Sequence, residues 1–297
     1  MSDLTHAPMI ELLADLPPAA AGDAAFRNFC TPAETEWRVA DHRKLSERAR
    51  LHLRHAAWLR IPTPLGELQA YRFEPDKQPA NGTILLVHGW TSEAAFMTAM
   101  AEPIRRAGFR VVLFDLPAHG LSPGRRTNLV DCARATAAVA EAAGPVHAVV
   151  AHSFGGMVAL LAAEGRSPMA KPLETGHVVL IACPNRLADV TGAFAARRQM
   201  TKAARRAFEL RLERVGRRRI ANFATAELLP ASRCGALVVH ARDDREVPFQ
   251  CAQEVMAANP TARLAAFDGF GHRNILFAPP VVRTVVKYLV ETAGGAR

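Results

Sequence analysis

The sequence predicts an α/β fold in which one mostly parallel central sheet is covered by helices on both faces. Three observations carry that expectation. Apolar, β-branched runs at 83–87, 110–115, 146–151, 177–182, 236–241 and 262–267 alternate with helical patterns, and repeated strand–helix units in one chain imply a parallel sheet. The run Thr83-Ile84-Leu85-Leu86-Val87 is apolar almost throughout rather than alternating, as in strands buried on both faces. Finally, the run at 146–151 continues through His152-Ser153-Phe154-Gly155-Gly156 straight into an apolar helical pattern. With 297 residues, 49% apolar and 22% charged, the chain is long enough for one large core and ordinary in composition for a globular protein.

Residues 1–58 read as an N-terminal extension. A short apolar patch (Met9, Ile10, Leu12, Leu13) precedes Pro17-Pro18 and an alanine-rich stretch, for which little regular structure is expected. Residues 33–58 read as one helix. Thr31-Pro32-Ala33-Glu34 supplies a cap, a first-turn proline and an acid near the positive dipole end, and Trp37, Leu45, Ala49, Leu53 and Ala57 recur at helical spacing. From Trp58 the period becomes two, and two apolar strands flank Thr63-Pro64-Leu65-Gly66 as a hairpin.

The body of the fold is expected over 59–183 and 233–297. Helical patterns at 93–107, 128–143 and 154–164 separate the first parallel strands, and those at 249–258 and 279–292 accompany the last. Right-handed crossovers place all parallel strand C-termini on one edge, where ligands bind. The stretch 184–232, after the sixth strand, is helical by pattern and reads as a lid over that edge. It carries eleven basic residues against four acidic ones and so holds most of the chain's net charge of +9.

Several function classes are disfavoured. The basic balance comes almost wholly from arginine, without zinc-finger spacing, an RNP-like aromatic strand or a basic tail, so nucleic acid is not the expected partner. A solvated arginine-rich surface is the simpler account. Five scattered cysteines (Cys30, Cys132, Cys183, Cys234, Cys251) lack metal-like spacing and read as reduced thiols in a cytoplasm. No secretory signal pattern and no bilayer-spanning apolar run is visible. Oligomeric state is not written in the pattern.

Four stretches converge on the ligand edge. At 146–157 the strand–turn–helix puts Ser153 at the apex of a sharp turn, with the small residues Ala151 and Gly155 two positions either side, the layout of a nucleophile elbow. His88-Gly89-Trp90 follows a buried strand and folds back over the pocket, so the backbone N–H groups of Trp90 and Phe154 form an expected oxyanion hole. His88 reads as an orienting group for that loop, and His88, Gly89, Trp90 and His152 as candidate pocket residues. Arg242-Asp243-Asp244 leaves the strand at 236–241, where Asp244 is favoured as the acid and Asp243 is the fallback, its other role being to cap loop N–H groups. Gly269-Phe270-Gly271-His272 closes the last strand and brings His272 beside Ser153.

Ser153, Asp244 and His272 thus occur in the order nucleophile, acid, histidine. In this, and in Asp115-Leu116-Pro117-Ala118-His119-Gly120-Leu121-Ser122, which is similar to a D-x-P-G-x-G-x-S loop, the chain resembles the α/β-hydrolase superfamily over residues 59–293. The elbow departs from G-x-S-x-G at Ala151, and the first 58 residues have no counterpart. The resemblance implies a serine hydrolase that cleaves a carboxylic ester or thioester through an acyl-enzyme, with Ser153, His272 and Asp244 catalytic and no metal or organic cofactor. The expected partner is a small acyl ester or thioester, and the arginine-rich lid makes an anionic acyl group one candidate. The same triad serves C–C bond hydrolysis and perhydrolysis, and a non-catalytic small-ligand binder on this fold is a further class. Attachment to a membrane surface or nucleic acid through the basic lid and the helix at 33–58 is a third.

Overall fold

A computed structural model describes residues 16–32 and 47–294. An eight-stranded sheet has the order β1-β2-β4-β3-β5-β6-β7-β8. β1 (Ala57–Thr63) and β2 (Gly66–Phe73) form the expected hairpin, and β2 also runs antiparallel to β4 (Arg110–Phe114). β3 (Thr83–Val87), β4, β5 (Val146–His152), β6 (Thr175–Ile181), β7 (Gly235–Ala241) and β8 (Arg263–Phe267) run parallel to one another.

β3 shows why the central strands read as unbroken apolar runs. Ile84 and Leu86 pack into the core on one face, while Leu85 and Val87 pack into the core on the other. Each such buried side chain contributes about 1.5–3 kcal/mol relative to exposure. One face is covered by α2 (Thr98–Arg106) and α9 (Pro279–Gly294), the other by α3 (Leu129–Ala143) and α4 (Phe154–Glu164). Asn128 starts α3 by accepting from the Val130 and Asp131 N–H groups, both at 3.0 Å, a side-chain cap for otherwise unpaired donors.

Between β6 and β7 the chain forms α5 (Leu187–Arg197), α6 (Lys202–Gly216) and α7 (Thr225–Ser232), before α8 (Gln250–Ala258) resumes the βα alternation. None of the described helices is long and apolar enough to cross a membrane.

The N-terminal region departs from expectation in two ways. Residues 18–29, expected to be irregular, form the helix α1 (Pro18–Phe29). Pro18 stands at its first position, where a missing N–H loses nothing, and alanines of high helix propensity follow. The helix expected over 33–58 is not continuous: residues 47–52 are helical, a turn of 3₁₀ helix follows at Leu53–His55, and β1 begins at Ala57. Pairing with β2 overrides the helical spacing of Ala57. Residues 33–46 lie outside the described residues.

Candidate active site

Ser153 follows β5 in a backbone conformation (φ 52°, ψ −125°) that non-glycine residues rarely adopt. Its own N–H donates to the Ile181 carbonyl at 2.8 Å, which fixes the turn against β6. Gly155 is a steric necessity, because a Cβ there would lie 2.6 Å from the carbonyl oxygens of both Val87 and His88. Helix α4 therefore passes hard against the end of β3, and its first residue is Phe154.

His272 lies in a single helical turn (Gly271–Asn274) after β8. Gly269 and Gly271 both have positive φ, 81° and 58°, which explains the glycines flanking Phe270. Asp243 pins this loop, accepting from the N–H groups of Gly269 at 2.9 Å and Gly271 at 3.2 Å. That is the capping role open to it in the sequence.

Asp244, the neighbour, is the carboxylate that meets the imidazole. Its Oδ1 accepts from the Glu246 and Val247 N–H groups at 2.9 and 2.8 Å, and its Oδ2 lies 2.8 Å from His272 Nδ1. His272 Nε2 is 3.0 Å from Ser153 Oγ. With Nδ1 protonated towards Asp244, Nε2 is the acceptor and the Ser153 hydroxyl donates to it, a tautomer assigned from the hydrogen-bond network. His240 Nε2 donates to the Val247 carbonyl at 2.9 Å and lies 3.5 Å from Asp244 Oδ2. Burial would raise the Asp244 carboxyl, but hydrogen bonds from His240, His272 and Val247 outweigh it and hold the group well below the usual carboxylate range.

The loop after β3 closes over the serine. A Cβ on Gly89 would sit 3.1 Å from Ser153 Cβ and 3.2 Å from His152 Nδ1. The Trp90 ring packs edge-on against Phe154, with centroids 5.1 Å apart. Trp90, Gly89 and His152 line the pocket at Ser153, but His88 does not. It is fully buried beneath, with Nδ1 donating to the Gly89 carbonyl at 2.7 Å and Nε2 accepting from the Leu116 N–H at 3.0 Å. His88 therefore orients the loop, and its place among the pocket residues is corrected. His152 donates from Nε2 to the His272 carbonyl at 2.9 Å, and its ring lies 4.9 Å from that of His272. Burial, then the charge of His272, drives its basicity down to about 3, so it stays neutral beside the His272 ring.

Two residues quoted in the sequence motif gain roles that the motif did not assign. Asp115 accepts from the Ala94 N–H at 2.8 Å and the Leu121 N–H at 3.0 Å. Gly120 is required there, since a Cβ would fall 2.4 Å from the Asp115 carboxyl carbon. His119 donates from Nδ1 to the Pro117 carbonyl at 2.9 Å and accepts from the Thr91 N–H at 3.3 Å. It thereby ties the loop after β4 to the loop that carries Trp90. Burial lowers its basicity to about 4, which keeps Nε2 free to accept. The signal was a histidine among turn residues next to a strand end, too common to single out.

Two cavities meet at Ser153. The smaller, about 190 Å³, runs beside His152, Arg273 and Leu276. The larger, about 520 Å³, is mainly apolar and runs beneath α5 towards Met157 and Phe29. Ser153, His272, Trp90 and Glu246 line both.

A family model described as the alpha/beta hydrolase family matches residues 84–285. Among solved structures, an esterase from Pyrococcus furiosus is 19% identical, with 82% of this chain and 93% of that chain covered and a TM-score of 0.60. A lid-less serine hydrolase from Xanthomonas campestris is also 19% identical, covering 81% and 94% at a TM-score of 0.54. The thioesterase domain of the curacin biosynthetic pathway is 14% identical, covering 79% and 99% at a TM-score of 0.57. At these identities the structural likeness establishes the fold alone.

Proposed function

The chain belongs to the alpha/beta hydrolase family, and on that premise we propose that it hydrolyses a carboxylic ester or thioester through an acyl-enzyme on Ser153. The observation that carries this reading is the unbroken relay from Ser153 Oγ through His272 to Asp244, at 3.0 and 2.8 Å. His272 Nε2 takes the hydroxyl proton as Ser153 attacks the carbonyl, and charged Asp244 stabilises the imidazolium that forms. The Trp90 and Phe154 N–H groups receive the developing oxyanion, and loss of one such donor typically costs about 3–4 kcal/mol of transition-state stabilisation. His272 then protonates the leaving alcohol or thiol, and water, deprotonated by the same imidazole, releases the acid.

In this reading residues 184–232 are the lid, the segments 59–183 and 233–297 are the hydrolase body, and 1–58 is an added extension. A neutral acyl group is favoured over an anionic one because the larger cavity is mainly apolar, although Arg186 and Arg197 also line it. Arg186 pairs with Glu254 at 2.6 Å, Arg205 with Glu209 at 2.7 Å, Arg206 with Glu213 at 3.2 Å and Arg218 with Glu164 at 3.0 Å. These guanidinium groups are already neutralised by the protein's own carboxylates.

A fluorophosphonate probe tests the nucleophile. Folded protein is expected to gain one adduct on Ser153 and the Ser153→Ala variant none; an unlabelled wild-type protein would end the serine-hydrolase reading. Rates on a succinate half-ester and a butyrate ester of one alcohol then test the charge preference, which faster succinate turnover would reverse.

A further inference from the structure

Helix α1 lies outside the matched family region, yet it reaches the candidate site. Its last turn delivers Phe29 and, just beyond, Cys30 to the lining of the 520 Å³ cavity, together with Leu187, Val190 and Leu212 of the insertion and Met157 of the body. A volume of that size falls within the range of small-molecule sites.

Three kinds of contact bind α1 to the insertion between β6 and β7. At Gly22 the helices meet backbone to backbone, so that a Cβ there would come within 2.5 Å of Ala207 Cβ and 2.8 Å of the Phe208 nitrogen. Asp23 takes both guanidinium arms of Arg211, one at 2.8 Å. Phe29 sits edge-on to Phe194 of α5 and Phe208 of α6, with centroids at 5.1 and 5.3 Å. The far end is anchored to the body, where the Thr127 N–H donates to the Cys30 carbonyl at 2.8 Å. Thr127 and Leu129 line the same cavity.

We propose that α1 and the insertion form a single acyl-binding wall, with Phe29 as the residue that limits acyl length. The substrate class is then an ester or thioester of an apolar aliphatic acid, its chain in the larger cavity and its leaving group in the smaller one beside Arg273. This assignment rests on Ser153 being the nucleophile. It follows from size and lining, since Ser153 and His272 border both cavities: the large one, about 520 Å³ and walled by Phe29, Leu129, Met157, Leu187 and Leu212, has the length and apolarity for an aliphatic chain, whereas the small one, about 190 Å³ with Thr91, Ser92 and Arg273 in its wall, suits a compact leaving group.

The experiment is kcat/KM across p-nitrophenyl esters from acetyl to dodecanoyl, beside a second series of acetate esters with lengthening alcohols. For the wild-type protein, kcat/KM is expected to rise about fourfold per acyl methylene, the equivalent of about 0.8 kcal/mol per buried CH₂, up to an optimum, and to stay nearly flat across the alcohols. Phe29→Ala moves the optimum to longer acyl chains and Phe29→Trp to shorter ones. Gly22→Ala, which pushes α1 off α6, flattens the acyl dependence. Fluorophosphonate labelling of Ser153 reports that each variant has folded its site, and Phe29→Leu carries the test if Phe29→Ala does not label. An optimum that stays in place in labelled variants overturns the proposal, as does a length dependence carried by the alcohol. A wild-type protein that neither labels nor turns over overturns the serine-hydrolase reading, and this assignment falls with it.

Discussion

Two buried aspartates leave the same edge of the sheet, and their acidities are shifted in opposite directions. Asp115 follows β4 and Asp244 follows β7, with 2% and 7% exposure. Each accepts from two backbone N–H groups at 2.8–3.0 Å. Yet the Asp115 carboxyl is pushed up to about 6, burial being the largest cause, while Asp244 is held well below its ordinary range. Two amides are common to both, so they do not make the difference. What differs is the remaining company: Asp115 has the like charge of Glu93 nearby and the Tyr71 hydroxyl at 3.4 Å, whereas Asp244 has the rings of His272 and His240. Burial alone drives a carboxyl towards its neutral form, and only the imidazole donors keep one of this pair reliably charged. Asp244 is therefore the aspartate able to stabilise an imidazolium, and Asp115 is a fixture of its loop.

Substitution by asparagine separates the two most strongly. Asp244→Asn keeps the shape but removes the charge and the preferred acceptor for His272 Nδ1–H, and kcat on a p-nitrophenyl ester is expected to fall about 10⁴-fold. Asp115→Asn places an amide NH₂ against one of two buried N–H groups. That costs about 1–3 kcal/mol of stability, read from the urea midpoint, with kcat retained within about tenfold. If Asp115→Asn instead removed activity as fully as Asp244→Asn, the contrast between a charged partner and a loop fixture would collapse.

The loop that Asp115 anchors offers an intermediate effect. His119 touches neither Ser153 nor His272, but its bond from the Thr91 N–H holds the segment that carries Trp90. His119→Ala is expected to lower kcat by up to about 10²-fold through misplacement of that N–H, with fluorophosphonate labelling slowed but not abolished. His119→Gln, which restores an acceptor, should recover part of the loss. Unchanged kcat in both variants would detach this loop from the oxyanion hole.

The pH dependence of stability gives the two aspartates opposite signs. Asp244, with its folded pKa depressed, contributes stability that is present above the unfolded value near 4 and is lost as pH falls below it. Asp115, with its folded pKa raised to about 6, binds a proton more tightly when folded, so its contribution favours the fold below pH 4 and declines as pH rises from about 4 to 6. Unfolding free energies of wild-type and Asp115→Asn protein across pH 4–7 should therefore converge as pH rises. A constant gap would show that Asp115 titrates alike in both states.

The same contrast explains what could be read from the sequence. Ser153, Asp244 and His272 were legible because each sits at the end of an apolar strand, in a turn whose backbone demands are local: Gly155 under the elbow, Gly269 and Gly271 around Phe270, Pro248 after Val247. Their meeting then follows from parallel strand order. The larger cavity was not legible, because its walls come from Phe29, Leu129, Met157, Leu187 and Leu212, each an ordinary apolar residue of its own element. Helix α1 was missed for a physical reason too, since Pro17-Pro18 interrupts a helix interior but suits its first turn. His88 looked like a pocket residue because polarity at a strand end is the same signal whether the ring faces ligand or loop backbone.

The smallest expected effect concerns the arginines that dominate the insertion. Arg205 and Arg206 have side chains 45% and 57% exposed, each paired with a glutamate on the same helix. The partner glutamates are only 13% and 15% exposed, but the guanidinium groups are hydrated and holding two long side chains in one geometry costs entropy, so each pair contributes about 0.5 kcal/mol. Arg205→Gln combined with Arg206→Gln should therefore shift stability by less than about 1 kcal/mol and leave kcat/KM on a succinate half-ester nearly unchanged at low and high salt. A strand-end carboxylate with two buried amides and an imidazole is a different object, dry and fixed, and salt reaches it poorly. If the double variant instead lost tenfold in kcat/KM at low salt and nothing at high salt, the insertion would steer charge towards Ser153, and Arg205 and Arg206 would act with the cavity-lining Arg186 and Arg197 rather than as a solvated outer face.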